Sequence, residues 1–219
     1  MKTSLSEAEI DRIRLCIERA ELETSGEIVP VVIARSDEYE VVLWRAAAAC
    51  AAAFLVVSLL IYLFYQGWSF GWLYSGIGVA TGLVASVLAG AALVTISSTA
   101  FRVVAGSKLT ADRVRARAQR AFIEEGVFRT RHRTGVLILV SLWERRLEVL
   151  PDEGVSAVVK VDSWTEVLDA ARIELRRGDL ARALESAVNA CGSVLQRAGL
   201  VAAGDDSNEL DDTIRIESK

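Results

Sequence analysis

Residues 134–155 read TGVLILVSLWERRLEVLPDEGV. Thr134–Leu142 is a run of β-formers that is apolar on both faces. Strands of this kind belong to sheets covered by helices on both sides. Trp143–Arg145 makes a turn, and Arg146–Pro151 reads as the second strand of an antiparallel hairpin. The stretch then ends in two adjacent carboxylates, Asp152 and Glu153, set between Pro151 and Gly154. They are either an acidic turn that holds a metal ion or the place where a strand stops.

Upstream, Ser6 and Glu9 stand three apart, the spacing of a capping box. Ile10, Ile13, Ile17 and Ala20 follow at helical intervals, and Gly26 of "TSG" is expected to stop this helix. Glu27–Ile33, "EIVPVVI", is a short valine- and isoleucine-rich strand. Pro30 lacks an amide donor, which puts part of that strand at an edge or a bulge. Thr110 is expected to cap a helix whose stripe is Val114, Ala118, Ala121 and Phe122. Ser163 and Glu166 repeat the capping-box spacing before a helix lined by Trp164, Val167, Leu168, Ala171 and Leu175, with Gly178 at its end. Asp179 caps a last helix that carries Leu180, Leu184, Ala187, Val188, Cys191 and Leu195 on one face, and Gly199 closes it. Residues 200–219 are polar and acidic and read as a disordered tail.

Between the first strand and the second helix lies most of the chain's apolar excess. The 219 residues are 52% hydrophobic, with a mean hydropathy of +0.33. Residues 43–64 and 70–96 each exceed the ~20 residues that span a bilayer, and neither shows a polar stripe. The link between them is short. Tyr62, Tyr65, Trp68, Trp72 and Tyr74 cluster there as an interfacial belt would. No acidic or histidine side chain sits in the middle of either span, which argues against a transport path. Gly76, Gly78, Gly82 and Gly90 permit close helix packing, either within the hairpin or between copies of the chain in a homo-oligomer.

Lysine and arginine are absent from the link. They flank the pair at Arg35 and Arg45 on one side, and at Arg102, Lys108, Arg113, Arg115 and Arg117 on the other. The positive-inside rule then sets both flanks and both termini in the cytoplasm of a plasma (inner) membrane protein with two spans. The first residues are charged, with no apolar core of a signal peptide. The fold expected is α/β: a small mixed β-sheet flanked by helices and interrupted by a two-helix transmembrane hairpin. Its parts are residues 1–40, the hairpin over 41–98, residues 99–199, and the tail.

The net charge of −4 gives no general footprint for nucleic acid. Cys16, Cys50 and Cys191 make no metal-ligand spacing, and the single histidine, His132, sits among arginines. There is no GxxxxGK[ST], GxGxxG or GxSxG. A β-helix-β crossover is normally parallel. The "WERR" turn then shares a pole with the hairpin, and "PDEGV" lies at the far pole. At the first pole Trp143, Arg145, Arg146, Arg113 and Arg117 suit a membrane surface. At the far pole Asp152, Glu153 and Glu27 are the candidate ligands for Ca²⁺ or Mg²⁺, which favour oxygen donors.

"TSGEIVPVV", "SDEY", the 134–155 stretch and "WTEVL…LRRGDLARAL" resemble the TPM domain family over roughly residues 6–40 and 108–198. The resemblance is closest to bacterial members with a transmembrane hairpin inside the domain. It implies two alternatives. One is an interaction module in the assembly or repair of membrane complexes, with the bilayer and other membrane proteins as partners. The other is a divalent-metal-dependent phosphatase. The chain departs from the family pattern at Arg133-Thr134 and at Asp152-Glu153-Gly154.

The topology has a direct check. In a cysteine-free background, Gln66→Cys is expected to react with an impermeant thiol reagent added outside intact cells. Ser107→Cys is expected to react only after lysis.

Overall fold

The structure is a computed structural model that describes residues 5–64, 71, 75–202 and 209–217. The chain divides into two units, Met1–Asp37 with Ala111–Lys219, and Glu38–Thr110. The first unit begins with α1 (Glu7–Glu23) and β1 (Glu27–Ile33). The second holds α2 (Glu40–Phe64) and α3 (Gly76–Ile96). The helix α4 (Ser98–Glu124) leads back into the first unit. There follow β2 (Gly135–Ser141), β3 (Arg146–Pro151), α5 (Glu153–Val158), α6 (Trp164–Arg177), α7 (Leu180–Arg197) and β4 (Arg215–Glu217).

The sheet order is β3-β2-β1-β4. β1 runs parallel to β2 from Glu27↔Gly135 to Ile33↔Ser141. β3 is antiparallel to β2. This is the mixed sheet the sequence implies. Period-2 alternation divides β1 and β2 between two cores. Ile28, Val32, Val136, Ile138 and Val140 pack with α1, α6 and α7. Val29, Val31, Ile33, Leu137 and Leu139 pack with Val114, Ala118 and Ala121 of α4. The continuous apolar runs of the two central strands are the direct result of this double covering.

Several local expectations need correction. The tail is not disordered over its described part: Arg215–Glu217 pairs in parallel with Val31–Ile33 as β4. Its short apolar-charged alternation is easily lost among acidic neighbours. β1 is therefore an inner strand where β4 covers it, but the pairing starts at Val31, one residue past Pro30. The missing proline donor falls beside the open part of that edge.

Thr110 does not cap α4. Its hydroxyl donates back to the Gly106 and Ser107 carbonyls, and the break in the helix is at Gly106, with φ of 72°. Ser163 makes no side-chain cap either, because a 3-10 turn, Val161–Ser163, feeds α6. Gly26 is not there for its conformation. A Cβ on it would stand 2.7 Å from Leu195 Cδ1, so it lets α7 approach. The caps at Ser6–Glu9 and Asp179, and the left-handed Gly178, are as expected.

In the second unit α2 and α3 are long and apolar enough to cross a membrane. Leu55, Val56, Leu59 and Leu60 are exposed along α2, and Val84 and Leu88 along α3. A core helix of a soluble protein would bury such residues. Gly82 abuts the Phe54 ring, and a Cβ on Gly90 would come within 2.6 Å of the Ala46 carbonyl. These two glycines serve the contact between α2 and α3. Tyr65, Trp68, Trp72 and Tyr74 of the expected aromatic belt lie outside the described residues, as do residues 203–208 of the tail.

β4 is held by side chains as much as by its short ladder. Arg117 makes a two-pronged ion pair with Glu217, and a second pair with Glu124 at 3.0 Å. Arg215 pairs with Glu125 at 3.0 Å. Replacing Arg117 by methionine leaves the apolar stem and removes the pairs. Amide exchange at Ile214–Glu217 is expected to speed up by roughly tenfold, ~1.4 kcal/mol, with β2 and β3 unchanged. Mass-spectrometric hydrogen exchange on the full chain checks it.

Candidate functional site

The first unit has two polar ends. At the C-terminal end of β1 the chain leaves towards α2 through Ala34–Asp37, and it re-enters at Ala111. The two points lie side by side, with Arg113 Nε 3.1 Å from Asp37 Oδ2 in a partly exposed ion pair. The β2–β3 turn lies at the same end. Leu142 and Trp143 donate their amides to the Ile33 and Ala34 carbonyls at 3.0 Å. The Glu144 carboxylate accepts from the Ser36 amide at 3.0 Å and from the hydroxyls of Ser36 and Ser141. Arg35 stacks over the Trp143 ring at 4.6 Å. Arg145 takes a left-handed φ of 52° at the tip of the turn.

Of the residues assigned to a membrane surface, Trp143, Arg145, Arg146 and Arg113 all stand at this end. Arg117 does not fit that role. Its side chain is only 13% exposed, and its guanidinium is committed to Glu217 and Glu124. The sequence groups it with the basic flank of the hairpin, because the strand that covers it lies a hundred residues further on.

At the other end, "PDEGV" resolves into three parts. Pro151 ends β3, Asp152 is an N-cap, and Glu153–Val158 is the short helix α5. One Asp152 carboxylate oxygen accepts from the Glu153 amide at 2.8 Å. The other is ion-paired with Arg133 Nε at 3.0 Å. Asp152 is buried and Glu153 is exposed. Gly154 is needed for close approach: its amide donates to the Arg133 carbonyl at 2.9 Å. A Cβ there would stand 2.3 Å from the His132 carbonyl oxygen.

Glu27, the third proposed ligand, is also engaged elsewhere. Its carboxylate accepts from the amides of Glu209 at 3.1 Å and Leu210 at 3.3 Å. Glu23 accepts from the Gln196 amide group at 2.8 Å. Among the described residues no three Asp, Glu, His or Cys side chains are placed to hold a metal ion. The expectation that Asp152, Glu153 and Glu27 converge is therefore corrected. The helix start draws Asp152 to the Glu153 amide and to Arg133, and the tail draws Glu27.

A different carboxylate stands out at this end. Glu21 accepts from the Ile28 amide at 2.7 Å, and Asp212 of the tail hydrogen-bonds it. Burial, with the nearby charges of Glu27 and Asp212, pushes the Glu21 carboxyl up to about 9. Burial raises Glu27 as well, against the pull of its two amide donors. Sequence reading missed Glu21 because it lies on the flank of α1, outside the apolar stripe. Arg133, the partner of Asp152, was hidden in a run of basic residues.

The TPM domain model matches residues 89–194. α1 and β1 lie outside that span although they belong to the same unit. No curated protein matches the sequence. Among solved structures, the chain is similar to the NMR structure of BA42 protein from the psychrophilic bacteria Bizionia argentinensis sp. nov. That likeness has a TM-score of 0.60 at 18% identity, over 99% of this chain and 98% of the other, and speaks to the fold.

Two tests follow from the far end. Asp152→Ala is expected to lower unfolding stability by about 0.5–2 kcal/mol, chiefly from the lost cap, since Arg133 is half exposed and water can take its partner's place. Asp152→Asn, which keeps a cap acceptor, is expected to lose less. Both losses should be the same with and without Ca²⁺ or Mg²⁺ in thermal melts.

For Glu21 the folded chain keeps a proton that the unfolded chain releases near the ordinary 4.5. Stability then falls as pH rises from that value to about 9. Glu21→Gln keeps the acceptor for Ile28. It is expected to raise the melting temperature at pH ~8 and leave it unchanged near pH ~4.

Proposed function

We propose, on the premise that residues 89–194 carry a TPM domain, that the protein is a two-span membrane protein of the plasma membrane. It displays this domain on the cytoplasmic face and acts as an anchored interaction module in membrane-protein assembly or maintenance. The observation that carries the reading is the position of the insertion. Two long apolar helices leave the first unit at Asp37 and return at Ala111. The domain is thereby tethered twice, at points that lie side by side at the Asp37–Arg113 pair. Both connections lie at one end of the first unit, so that end is the one nearer to the apolar helices along the chain. Trp143, Arg145, Arg146 and Arg113 are the side chains that this arrangement offers to headgroups. The opposite pole is left for other membrane proteins or for a second copy of the chain.

A metal-dependent phosphatase is the rival reading. It would need Asp152, Glu153 and Glu27 to share one ion, and two of the three carboxylates already have amide or guanidinium partners. The module reading is preferred for that reason.

Affinity purification of the full chain from membranes tests it. One or more membrane proteins are expected in excess over an unrelated two-span control. Recovery no greater than that control, together with turnover of a phosphate ester that needs Asp152 and a divalent ion, would overturn it in favour of the phosphatase.

A further inference from the structure

The end of the first unit that carries the β2–β3 turn also carries a groove, between that turn, the start of β3 and one face of α6. It has a volume of about 300 Å³ and is lined by Glu144, Arg145, Arg146, Leu147, Leu168, Arg172 and Leu175. That volume is at the lower end of ligand-binding clefts. Its chemistry divides in two. Leu147 and Leu168 give it a small apolar side, backed by the largely buried Leu175, while three arginines and one glutamate leave a net charge of +2.

The glutamate, whose charge is included in that sum, is held towards Ser36 and Ser141. Its two oxygens take the Ser36 amide and the Ser36 and Ser141 hydroxyls. Among the described residues no acidic side chain is ion-paired with Arg145. Arg172 has one partner, Asp169 at 2.9 Å, in an exposed i,i+3 pair. Pairs of that kind contribute little and yield easily to a better anion. Arg146 faces Glu148 as well and adds charge at the rim.

Two arginines beside this apolar side suit a ligand that is anionic at one end and greasy at the other. A guanidinium offers planar paired donors that match phosphate oxygens. Inorganic phosphate would use the arginines and leave the leucines wet. We propose that this groove is a binding site for the phosphate of an anionic phospholipid. The phosphate sits between Arg145 and Arg172, and the glycerol and first acyl carbons lie against Leu147 and Leu168. The inference rests on the anchored reading for the source of its ligand, and adds to it a built site and Arg172. Arg172 is distant in sequence from the turn and reaches it only through the packing of α6 on β3.

The test uses the purified full chain in mild detergent, with bound lipid counted by native mass spectrometry. Phosphatidylglycerol and phosphatidylcholine are the probes. The Arg145→Gln/Arg172→Gln variant is compared with Arg12→Gln/Arg182→Gln, which removes two exposed arginines elsewhere. The expected result is a preference for phosphatidylglycerol that falls by roughly tenfold in the first variant and is kept in the second. Equal retention in both variants, or equal retention of phosphatidylcholine by the native chain, would overturn the proposal.

Soluble glycerol phosphate is the competitor. If it displaces the lipid at equal concentration, the site reads free phosphate and the lipid assignment fails. A footprint on the native chain needs no variant: phosphatidylglycerol should protect Arg145 and Arg172 from phenylglyoxal, and no protection counts against the site. Lipid retention is read on isolated protein. It can therefore fail while partner recovery succeeds, or the reverse.

Discussion

The parallel pairing of β1 with β2 is the constraint on which the rest of the first unit depends. A chain that leaves the C-terminal end of one strand must travel the length of the sheet before it can enter a parallel neighbour. Here the return is made by the second half of α4, packed on one face of the sheet. The apolar pair α2 and α3 is inserted before that return. Once the register Ile33↔Ser141 is set, the exit from β1 and the β2–β3 turn must share one end. Glu27, Thr134 and Asp152 must share the other. The polar groups at the strand ends are sorted to one pole or the other by this one pairing.

The two poles are then built by opposite means. At the exit pole the donors are serine hydroxyls and backbone amides gathered on Glu144, with Arg113 on Asp37 and Arg35 on Trp143. The carboxylates are satisfied and arginine charge remains. At the far pole carboxylates are gathered under the tail, and Glu21 keeps its proton because burial and its acidic neighbours make ionisation costly. The first unit thus presents arginines at the exit of β1 and a protonatable acidic cluster at its start.

Much of this was legible from residue pattern. β1 and the β2–β3 hairpin are continuous apolar runs bounded by turn residues, and their limits and pairing follow from that. The helix stripes of α1, α6 and α7 follow from their period, and the apolar pair from length and hydropathy. What was not legible depends on partners far apart in sequence. Asp152 and Glu153 look like a site because they are adjacent, but Asp152 is claimed by a helix start and by Arg133. Arg117 looks solvent-facing until β4 arrives from a hundred residues away. Arg172 reads as a helix surface charge until α6 is laid beside the turn. Gly154 and Gly26 look like breakers of regular structure, yet they are sites of close backbone and side-chain approach.

The central claim is that the pole bearing the β2–β3 turn is the one turned to the bilayer. The full chain can be reconstituted in vesicles with a nitroxide at Arg145→Cys or at Glu153→Cys, each in a cysteine-free background. The label's relaxation by a nickel-chelating headgroup lipid is then measured. The account predicts strong relaxation at residue 145 and weak relaxation at residue 153. Equal relaxation at both, or the reverse order, would contradict it.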